Sequence, residues 1–301
     1  MTTPHGVPAP DGGPGAFRCP RHPDRPAFVR CQRCNRPACP ACQVPAAVGI
    51  QCVDCVRQDQ AAHPRLRSIL GVTASGGPPL CTIVLIGLCV VVSAVGWLAP
   101  ALAVTEHLGF VPVLARAEPW RVVTSIFDHA GLAHLALNML CLWMVGSFLE
   151  PMLGRWRFTA LYLVSGLGGG LLILGWARVA GPSVEWVQLT VGASGAIFGM
   201  FGAMVWVVRR LGGNLRGILV VLAINVVFTL TNSGSVSWQG HFGGLIVGLG
   251  LGAVYAFAPR GRHRVYSIVA TAGIAALVLG AYAALSTGLP TSDAIMGQLW
   301  G

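Results

Sequence analysis

The chain has little charge and no lysine. Charged residues make up 10% of its 301 residues, hydrophobic residues make up 54%, and all 20 basic residues are arginines. A soluble protein of this length needs more charge to cover its surface, so the composition excludes a soluble globular protein and indicates an integral membrane protein. The mean hydropathy of +0.68 agrees with this interpretation. The 40 glycines are typical of helices that pack closely within a bilayer.

Two further absences narrow the function. The first long apolar run begins only near Leu80, so we expect no N-terminal signal peptide. Acidic residues are missing from the apolar runs, apart from Asp128 and Glu150 at their ends. Because proton and cation pathways through membranes depend on such groups, this absence weighs against a transporter or channel.

The formal net charge of +10 does not indicate a nucleic-acid partner. Nine arginines precede Ile69, and most of the others lie in short loops between apolar runs. That distribution is the positive-inside pattern of membrane proteins, in which arginines accumulate on the cytoplasmic side. We therefore predict a lipid bilayer as the environment and no nucleic acid.

Seven apolar runs are long enough to be read as membrane spans, each of which needs about 20 residues. They cover residues 80–99, 131–150, 157–177, 191–208, 215–231, 240–258 and 265–286. The long, partly apolar connection over 100–130 can lie in the membrane interface. The sequence therefore predicts an all-α membrane protein.

Arginines set the expected orientation. The loops after the second, fourth and sixth spans carry Arg155, Arg157, Arg209, Arg210, Arg216, Arg260, Arg262 and Arg264. The opposite loops carry Arg116, Arg121 and Arg178, partly offset by Glu106, Glu118 and Glu185. By the positive-inside rule, the N-terminus faces the cytoplasm and the C-terminus faces the outside.

A cysteine-rich segment precedes the membrane part. Its ligand pairs are Cys19 with His22, Cys31 with Cys34, Cys39 with Cys42, and Cys52 with Cys55. Four such pairs suffice for two tetrahedral zinc ions, and so short a segment could hardly fold without metal. A disulfide framework is the alternative, but a reducing cytoplasm and the odd number of cysteines in these motifs, seven, disfavour it.

The pairing of these ligands resembles the cross-braced B-box type of zinc finger, because four residues separate the second and third pairs. That resemblance implies one site of Cys19, His22, Cys39 and Cys42 and another of Cys31, Cys34, Cys52 and Cys55. Sequential pairing stays open from the spacing alone. With four protein ligands each, neither site keeps a position for catalysis, so we expect structural zinc and a docking or regulatory role with a cytoplasmic protein partner.

Polar residues within the spans form a second group. Ser194 starts the fourth span within Gly192-Ala193-Ser194-Gly195, and His241 starts the sixth, followed by Gly244 and Gly248. Glycine-faced helices can approach closely enough for a serine on one to meet an imidazole on the other, as an activated nucleophile requires. A serine in a membrane helix is usually a packing residue when it occurs alone. It is the occurrence of Ser194 together with His241 that indicates a nucleophile and its base.

Two donors accompany this pair. His134 and Asn138 are four residues apart and therefore share one face of the second span. Aimed at a developing oxyanion, they would stabilise it, and His129 nearby can organise the loop or a bound water. All of these side chains are expected near the outer ends of their spans.

These residues resemble the rhomboid family of intramembrane serine proteases. The resemblance covers roughly Leu80 to Pro259 and rests on three groups of motifs. They are Trp120-Arg121 with His129, His134 and Asn138; Glu150 with Gly154 and Arg155; and Gly192-x-Ser194-Gly195 with His241-x-x-Gly244-x-x-x-Gly248. Phe198 stands where many bacterial members have a tyrosine that stacks on the histidine, so the ring is kept and the hydroxyl is lost.

The resemblance implies a Ser194–His241 dyad without an aspartate, an oxyanion site of the Ser194 N–H, His134 and Asn138, and no cofactor for catalysis. It implies a six-helix core over 80–259, with residues 260–301 as a seventh helix and tail. Before the core we expect a disordered segment over 1–16, the zinc module over 17–58 and a linker over 59–79.

The expected activity is serine-type endopeptidase cleavage within or beside transmembrane segments of membrane protein substrates, in a multi-pass cell-membrane protein. The alternative is an inactive member of the same family that binds or escorts client membrane proteins. Both the serine and the histidine are present, which favours the enzyme.

Overall fold

The structure is a computed structural model, which describes residues 17–46, 48–62, 70, 77–181, 183–234, 236–259 and 261–289. The expected disordered segment 1–16, most of the linker and the tail beyond residue 289 lie outside these ranges. The chain divides into two compact units, Met1–Leu66 and Arg67–Gly301.

The first unit is built from short strands and one helix. Its strands are β1 (Arg18–Cys19), β2 (His22–Pro26), β3 (Val29–Arg30), β4 (Pro37–Ala38), β5 (Gln43–Pro45) and β6 (Ile50–Cys52), followed by α1 (Val53–Ala62). They pair as three antiparallel two-stranded sheets, β1–β2, β3–β4 and β5–β6. The buried cluster of this unit consists of six cysteines, which are joined by Ala27 and Ala38 but by no large apolar side chain in the described part. This core is too small to stabilise the unit by apolar burial alone.

The second unit is helical. Its long helices are α2 (Leu80–Leu98), α5 (Leu132–Leu153), α6 (Arg155–Ala180), α7 (Ser194–Arg210), α8 (Arg216–Thr231), α9 (Trp238–Phe257) and α10 (His263–Leu285), with the short α3 (Val104–Leu108) and α4 (Arg121–Thr124) between α2 and α5. In the described residues five helices, α2, α5, α6, α9 and α10, are long and apolar enough to cross a membrane. Helices α7 and α8 have 17 and 16 residues and are shorter. A mostly helical membrane fold is thus supported, whereas the number of seven spans stays a prediction.

Apolar side chains on the outer surface of the helices fit a lipid environment. Leu98 is 85% exposed, Leu277 is 72% exposed and Val269 is 64% exposed. Helix α8 faces outward over most of its length, since its buried side chains are those of Ile218 and Thr229. In water such surfaces would drive aggregation, whereas lipid tails solvate them.

Glycines bring α7 and α9 into backbone contact. A Cβ added at Gly244 would overlap the carbonyl oxygen of Gly195, and one added at Gly248 would overlap that of Gly199. A Cβ at Gly195 would lie 2.9 Å from the carbonyl oxygen of Gly240. The two glycine rows predicted from the sequence therefore face each other, which sets Ser194 and His241 at neighbouring helix starts.

Glu150 and Arg157 are the buried charged side chains at the α5–α6 turn. Glu150 accepts hydrogen bonds from the Thr82 N–H and hydroxyl, both at 2.8 Å, and from the Cys81 N–H at 3.0 Å. It therefore satisfies donors at the start of α2. The sequence placed Arg157 in a loop, but it lies inside α6, 3% exposed, and donates to the Leu70 carbonyl at 2.8 Å. Because its side chain is buried in this contact, Arg157 does not contribute to the loop arginines from which the orientation was predicted.

Candidate active site and candidate metal centres

Ser194 and His241 meet at the adjoining starts of α7 and α9. The distance from Ser194 Oγ to His241 Nε2 is 2.7 Å, a short hydrogen bond. His241 is 8% exposed. The geometry is that of a hydroxyl whose proton can pass to a neighbouring base.

Gly192 shapes the turn that leads into Ser194. Its φ of +130° is unfavourable for a residue with a side chain, and an added Cβ would lie 2.8 Å from the His134 ring and 3.8 Å from Ser194 Oγ. Its N–H donates to the Ser125 carbonyl at 2.9 Å. The absence of a side chain at this position thus lets His134 and Ser194 approach one point.

His129 contacts the turn that leads into Ser194. It is fully buried, and its Nε2 accepts a hydrogen bond from the Ala193 N–H at 3.4 Å. Because Nε2 accepts, Nδ1 carries the proton of the neutral ring and donates to Ser93 Oγ at 3.3 Å. The role expected for His129, organising the loop or a bound water, stays a prediction.

The two expected oxyanion donors lie in the same cavity as Ser194 but differ in their partners. Asn138 donates from Nδ2 to the His134 carbonyl at 2.9 Å, within its own helix α5. An amide nitrogen has two hydrogens, so the second stays available to another acceptor. The His134 ring lies against Gly192 and forms an edge contact with His129 at 5.1 Å. Their assignment as oxyanion donors stays a prediction.

Phe198, one turn into α7, packs against the imidazole of His241. Its ring lies 4.2 Å from that of His241, with an angle of 15° between the planes. The stacking expected at this position is therefore present without a tyrosine hydroxyl.

Thr229 on α8 was missed by the sequence analysis. Its hydroxyl oxygen lies 2.7 Å from His241 Nδ1, on the far side of the ring from Ser194, and the residue is 1% exposed. Its sequence surroundings resemble those of Thr231 two positions later. An Asn225-x-x-x-Thr229 pair on one helix face is the only local signal.

A cavity of about 660 Å³ opens onto these residues. Its polar wall includes Ser194, His241, His134 and Asn138, and apolar side chains such as Leu137, Ile197 and Phe228 form much of the remainder. Ligand sites commonly have this volume and this mixture of apolar wall and few polar groups. The cavity has room for several residues of a peptide segment beside the Ser194 hydroxyl.

The first unit contains two candidate metal centres. Cys19, His22, Cys39 and Cys42 form one group, and Cys31, Cys34, Cys52 and Cys55 form the other. The structure thus joins the first ligand pair to the third and the second pair to the fourth. All ten cysteines, each within the described ranges, are free of disulfide bonds.

Distances within both groups fit a tetrahedral ion. The His22 Nδ1 atom lies 3.3, 3.4 and 3.9 Å from the sulfurs of Cys42, Cys39 and Cys19, and the sulfurs of Cys34 and Cys52 are 3.7 Å apart. A zinc ion bound at ordinary lengths separates its sulfur and nitrogen ligands by about 3.6 Å and two sulfurs by about 3.8 Å. Both groups can therefore hold a metal ion of this size.

The thiols of the first ligand group differ in pKa. The backbone N–H of Cys39 is the main cause that lowers the pKa of Cys19 to about 6, whereas burial raises the pKa of Cys42 to about 11. Without a cation, the four-residue group therefore retains protons at neutral pH. A divalent ion would stabilise all three thiolates together.

Comparison with known proteins finds relatives of the helical unit. Residues 116–258 match the family model described as the Rhomboid domain. Rhomboid protease GluP of Bacillus subtilis is 38% identical over 49% of this chain and 29% of its own length. RHOMBOID-like protein 5 of Arabidopsis thaliana is 33% identical over 54% of this chain and 53% of its own length, and the putative rhomboid protease YdcA of Bacillus subtilis is 34% identical over 45% and 66%.

These matches support assignment of the helical unit to the rhomboid family and, with the apolar helices, a multi-pass membrane protein. The chain spans 29% to 66% of the length of these three relatives, and the matched family region excludes the candidate metal centres and α10.

Proposed function

We propose that the protein is an intramembrane serine endopeptidase that cleaves membrane proteins within or beside their transmembrane segments. The observation that carries this proposal is the 2.7 Å contact between Ser194 Oγ and His241 Nε2. It lies in a cavity large enough for a peptide segment, inside a domain of the rhomboid family. Two relatives are named as proteases of this family, Rhomboid protease GluP and Putative rhomboid protease YdcA.

The reaction begins when Ser194 Oγ attacks the carbonyl carbon of the scissile peptide bond. The hydroxyl proton passes to His241 Nε2 as the carbon–oxygen bond forms, which gives a tetrahedral oxyanion. Collapse of this intermediate breaks the carbon–nitrogen bond, and His241 returns the proton to the leaving amine. Water then attacks the acyl-enzyme, gives its proton to His241, and releases the new carboxyl terminus as Ser194 regains its hydrogen.

The Ser194 N–H and the side chains of His134 and Asn138 are the proposed oxyanion donors. Ser194 is the first residue of α7, where backbone N–H groups have no partner within the helix. His134 lies against Gly192 beside the nucleophile, and Asn138 retains one free amide hydrogen. One well-placed donor of this kind contributes about 2.7–4 kcal/mol to transition-state stabilisation.

Substrates must expose a peptide bond to the dyad. A transmembrane helix hides its carbonyls in hydrogen bonds, so segments with small residues, glycine or proline should be cleaved most readily. The positive-inside pattern favours an orientation with the N-terminal module in the cytoplasm, the dyad near the outer leaflet and the C-terminus outside.

Substitution of each dyad residue tests the proposal. In proteoliposomes, Ser194→Ala and His241→Ala should each abolish cleavage of a membrane-anchored reporter, since loss of either member in a soluble serine protease lowers kcat by about 10⁶-fold. A fluorophosphonate probe should label the unsubstituted protein and not Ser194→Ala. Ser147→Ala, which removes a hydroxyl of α5 outside the cavity wall, is the matched control.

Cleavage that persists in Ser194→Ala would overturn the assignment. If the unsubstituted protein captured membrane clients but neither cleaved them nor reacted with the probe, the alternative of an inactive binding or escort protein would replace the enzyme.

For the first unit we propose two structural zinc ions and a docking role toward a cytoplasmic protein. The fit of both ligand groups to tetrahedral zinc supports the metal. Elemental analysis of the purified full chain should give two zinc ions per chain and about one after Cys39→Ser. Equal zinc in both samples would contradict the ligand assignment.

A further inference from the structure

Thr229 contacts the imidazole of His241 on the side opposite to Ser194. Its Oγ1 lies 2.7 Å from Nδ1, as close as Ser194 Oγ lies to Nε2. Along α8, most side chains face outward, and the buried ones are those of Ile218 and Thr229. The buried Thr229 hydroxyl, near the end of a helix that otherwise faces outward, thus forms a hydrogen bond with His241.

The hydrogens in this chain of contacts can be assigned from a second distance. Thr229 Oγ1 also lies 2.7 Å from the carbonyl oxygen of Asn225. A carbonyl can only accept, and a hydroxyl has one hydrogen, so Thr229 donates to Asn225 and must accept at its remaining contact. His241 Nδ1 is therefore the donor, which leaves Nε2 of the neutral ring without hydrogen and ready to accept from Ser194.

We propose that Thr229 is a positioning residue, which fixes His241 in the tautomer and ring orientation required of a general base. The proposal rests on the proposed dyad, because a base at Nε2 matters only if Ser194 is the nucleophile. Thr229 then occupies the position of the third member in a serine-protease triad, with a neutral hydroxyl in place of a carboxylate.

The proton balance of the reaction is unchanged by this residue. The Ser194 proton moves to Nε2 and later to the leaving amine, while the hydrogen on Nδ1 stays there throughout. As the ring gains positive charge, the Thr229 oxygen accepts a stronger hydrogen bond from Nδ1. The Asn225 carbonyl behind it points its negative end in the same direction, so the two dipoles act together.

The reverse polarity would disable the base. If Thr229 donated to Nδ1, the ring hydrogen would lie on Nε2, and Nε2 could not take the serine proton. The Thr229 oxygen would then face the Asn225 carbonyl at 2.7 Å without a hydrogen between them. That repulsive contact favours the productive arrangement.

Thr231 supplies a matched control on the same helix. Its hydroxyl bonds to the carbonyls of Val227 and Phe228 at 2.9 and 3.1 Å, and the residue is exposed. Thr231→Val therefore makes the same chemical change as Thr229→Val at a position without contact to the imidazole.

Kinetics of reporter cleavage in proteoliposomes give the first test. Thr229→Val should lower kcat about tenfold, the effect of one neutral hydrogen bond, with KM unchanged. Thr229→Ser keeps the hydroxyl and should recover most of the lost kcat, while Thr231→Val should match the unsubstituted enzyme. A kcat of Thr229→Val within twofold of the unsubstituted value, or a Thr229→Ser as slow as Thr229→Val, would overturn the proposal.

The second test reads the tautomer directly and does not depend on cleavage. In protein labelled with ¹⁵N-histidine at pH 8, the His241 signals, assigned by their loss in His241→Ala, should show hydrogen on Nδ1. Thr229→Val should shift intensity toward the Nε2–H form. Hydrogen on Nε2 in the unsubstituted protein would reject the role of Thr229, and Ser194-dependent cleavage in the same sample would show that the dyad works without it. Cleavage by Ser194→Ala would instead reject the dyad, whatever the tautomer.

Discussion

The two compact units of this chain are stabilised in different ways. In the first unit, the buried cluster consists of six cysteines with two alanines, and the two candidate ligand groups join strands of two to five residues. In the second, large side chains such as Tyr162, Tyr255 and Phe158 are fully buried, and glycines allow backbone contact between helices. With the proposed zinc ions bound, the first unit depends on a few strong bonds to metal, whereas the second depends on many weak contacts.

This difference determines how each unit should respond to damage. Removal of a metal ion eliminates all of its bonds together, so the first unit is expected to unfold as a whole. Removal of one helix contact leaves the others in place, so the second unit is expected to lose stability in proportion to the contact. We therefore expect metal removal to have the largest effect, a disturbed helix contact a smaller one, and the loss of one ring contact the smallest.

Metal removal should have the largest effect. Structural zinc binds small domains with about 10–16 kcal/mol, which equals or exceeds the whole stability of most domains. After chelation of the full chain in detergent, hydrogen exchange should accelerate across β1 to α1 and stay slow in α5 to α9. Cys39→Ser should reproduce this pattern, whereas Cys81→Ser, outside both ligand groups, should not.

Retained protection of β1 to α1 after removal of both ions would show that strand pairing suffices, and the proposed contrast between the units would fail. Loss of protection in α5 to α9 would show that the helical unit depends on the metal as well.

A single methyl group between α7 and α9 should have the next largest effect. In Gly244→Ala the new Cβ overlaps the backbone carbonyl of Gly195, which no side-chain rotation can relieve. Overpacking typically costs about 1–3 kcal/mol, and here it would also separate Ser194 from His241. Thermal unfolding and the rate of Ser194 labelling by a fluorophosphonate should both report this loss.

Gly250→Ala is the control on the same helix, because its Cβ would meet Ile274 at 3.7 Å, an ordinary contact. It should be neutral or slightly stabilising, since alanine favours helices over glycine by about 1 kcal/mol. If both variants behaved alike, helix propensity rather than backbone contact would govern this interface.

Helix positions could be predicted from the sequence because hydropathy is a local property. The last span was expected over 265–286 and α10 covers His263–Leu285. Arg157 was misplaced because an arginine beside an apolar run is usually a loop residue. Its burial depends on the Leu70 carbonyl and on the face of the Tyr255 ring, contacts that no local pattern contains.

In the candidate site, too, some residues could be predicted from the sequence and others could not. Ser194 and His241 could be proposed together because glycine rows on both helices indicate close approach. Thr229 could not, since Thr229 and Thr231 have similar neighbours in sequence and differ only in the direction that each faces on α8. The four-residue spacing permits the hydrogen bond from Asn138 to the His134 carbonyl but does not show whether the side chain makes it.

Loss of one ring contact should have the smallest effect, and it tests whether the helical unit distributes its stability over many contacts. Phe198 stacks on His241, and such a pair contributes about 0.5–1.5 kcal/mol beyond burial, so Phe198→Leu should lower kcat about two- to twelvefold. Phe201→Leu removes the same volume from the cavity wall one turn further along α7 and serves as the control. Because the Ser194–His241 and Thr229–His241 hydrogen bonds remain in Phe198→Leu, its activity should be reduced and not lost. A complete loss of Ser194 labelling in Phe198→Leu alone would show that the imidazole depends on this single ring, as the first unit depends on its metal ligands.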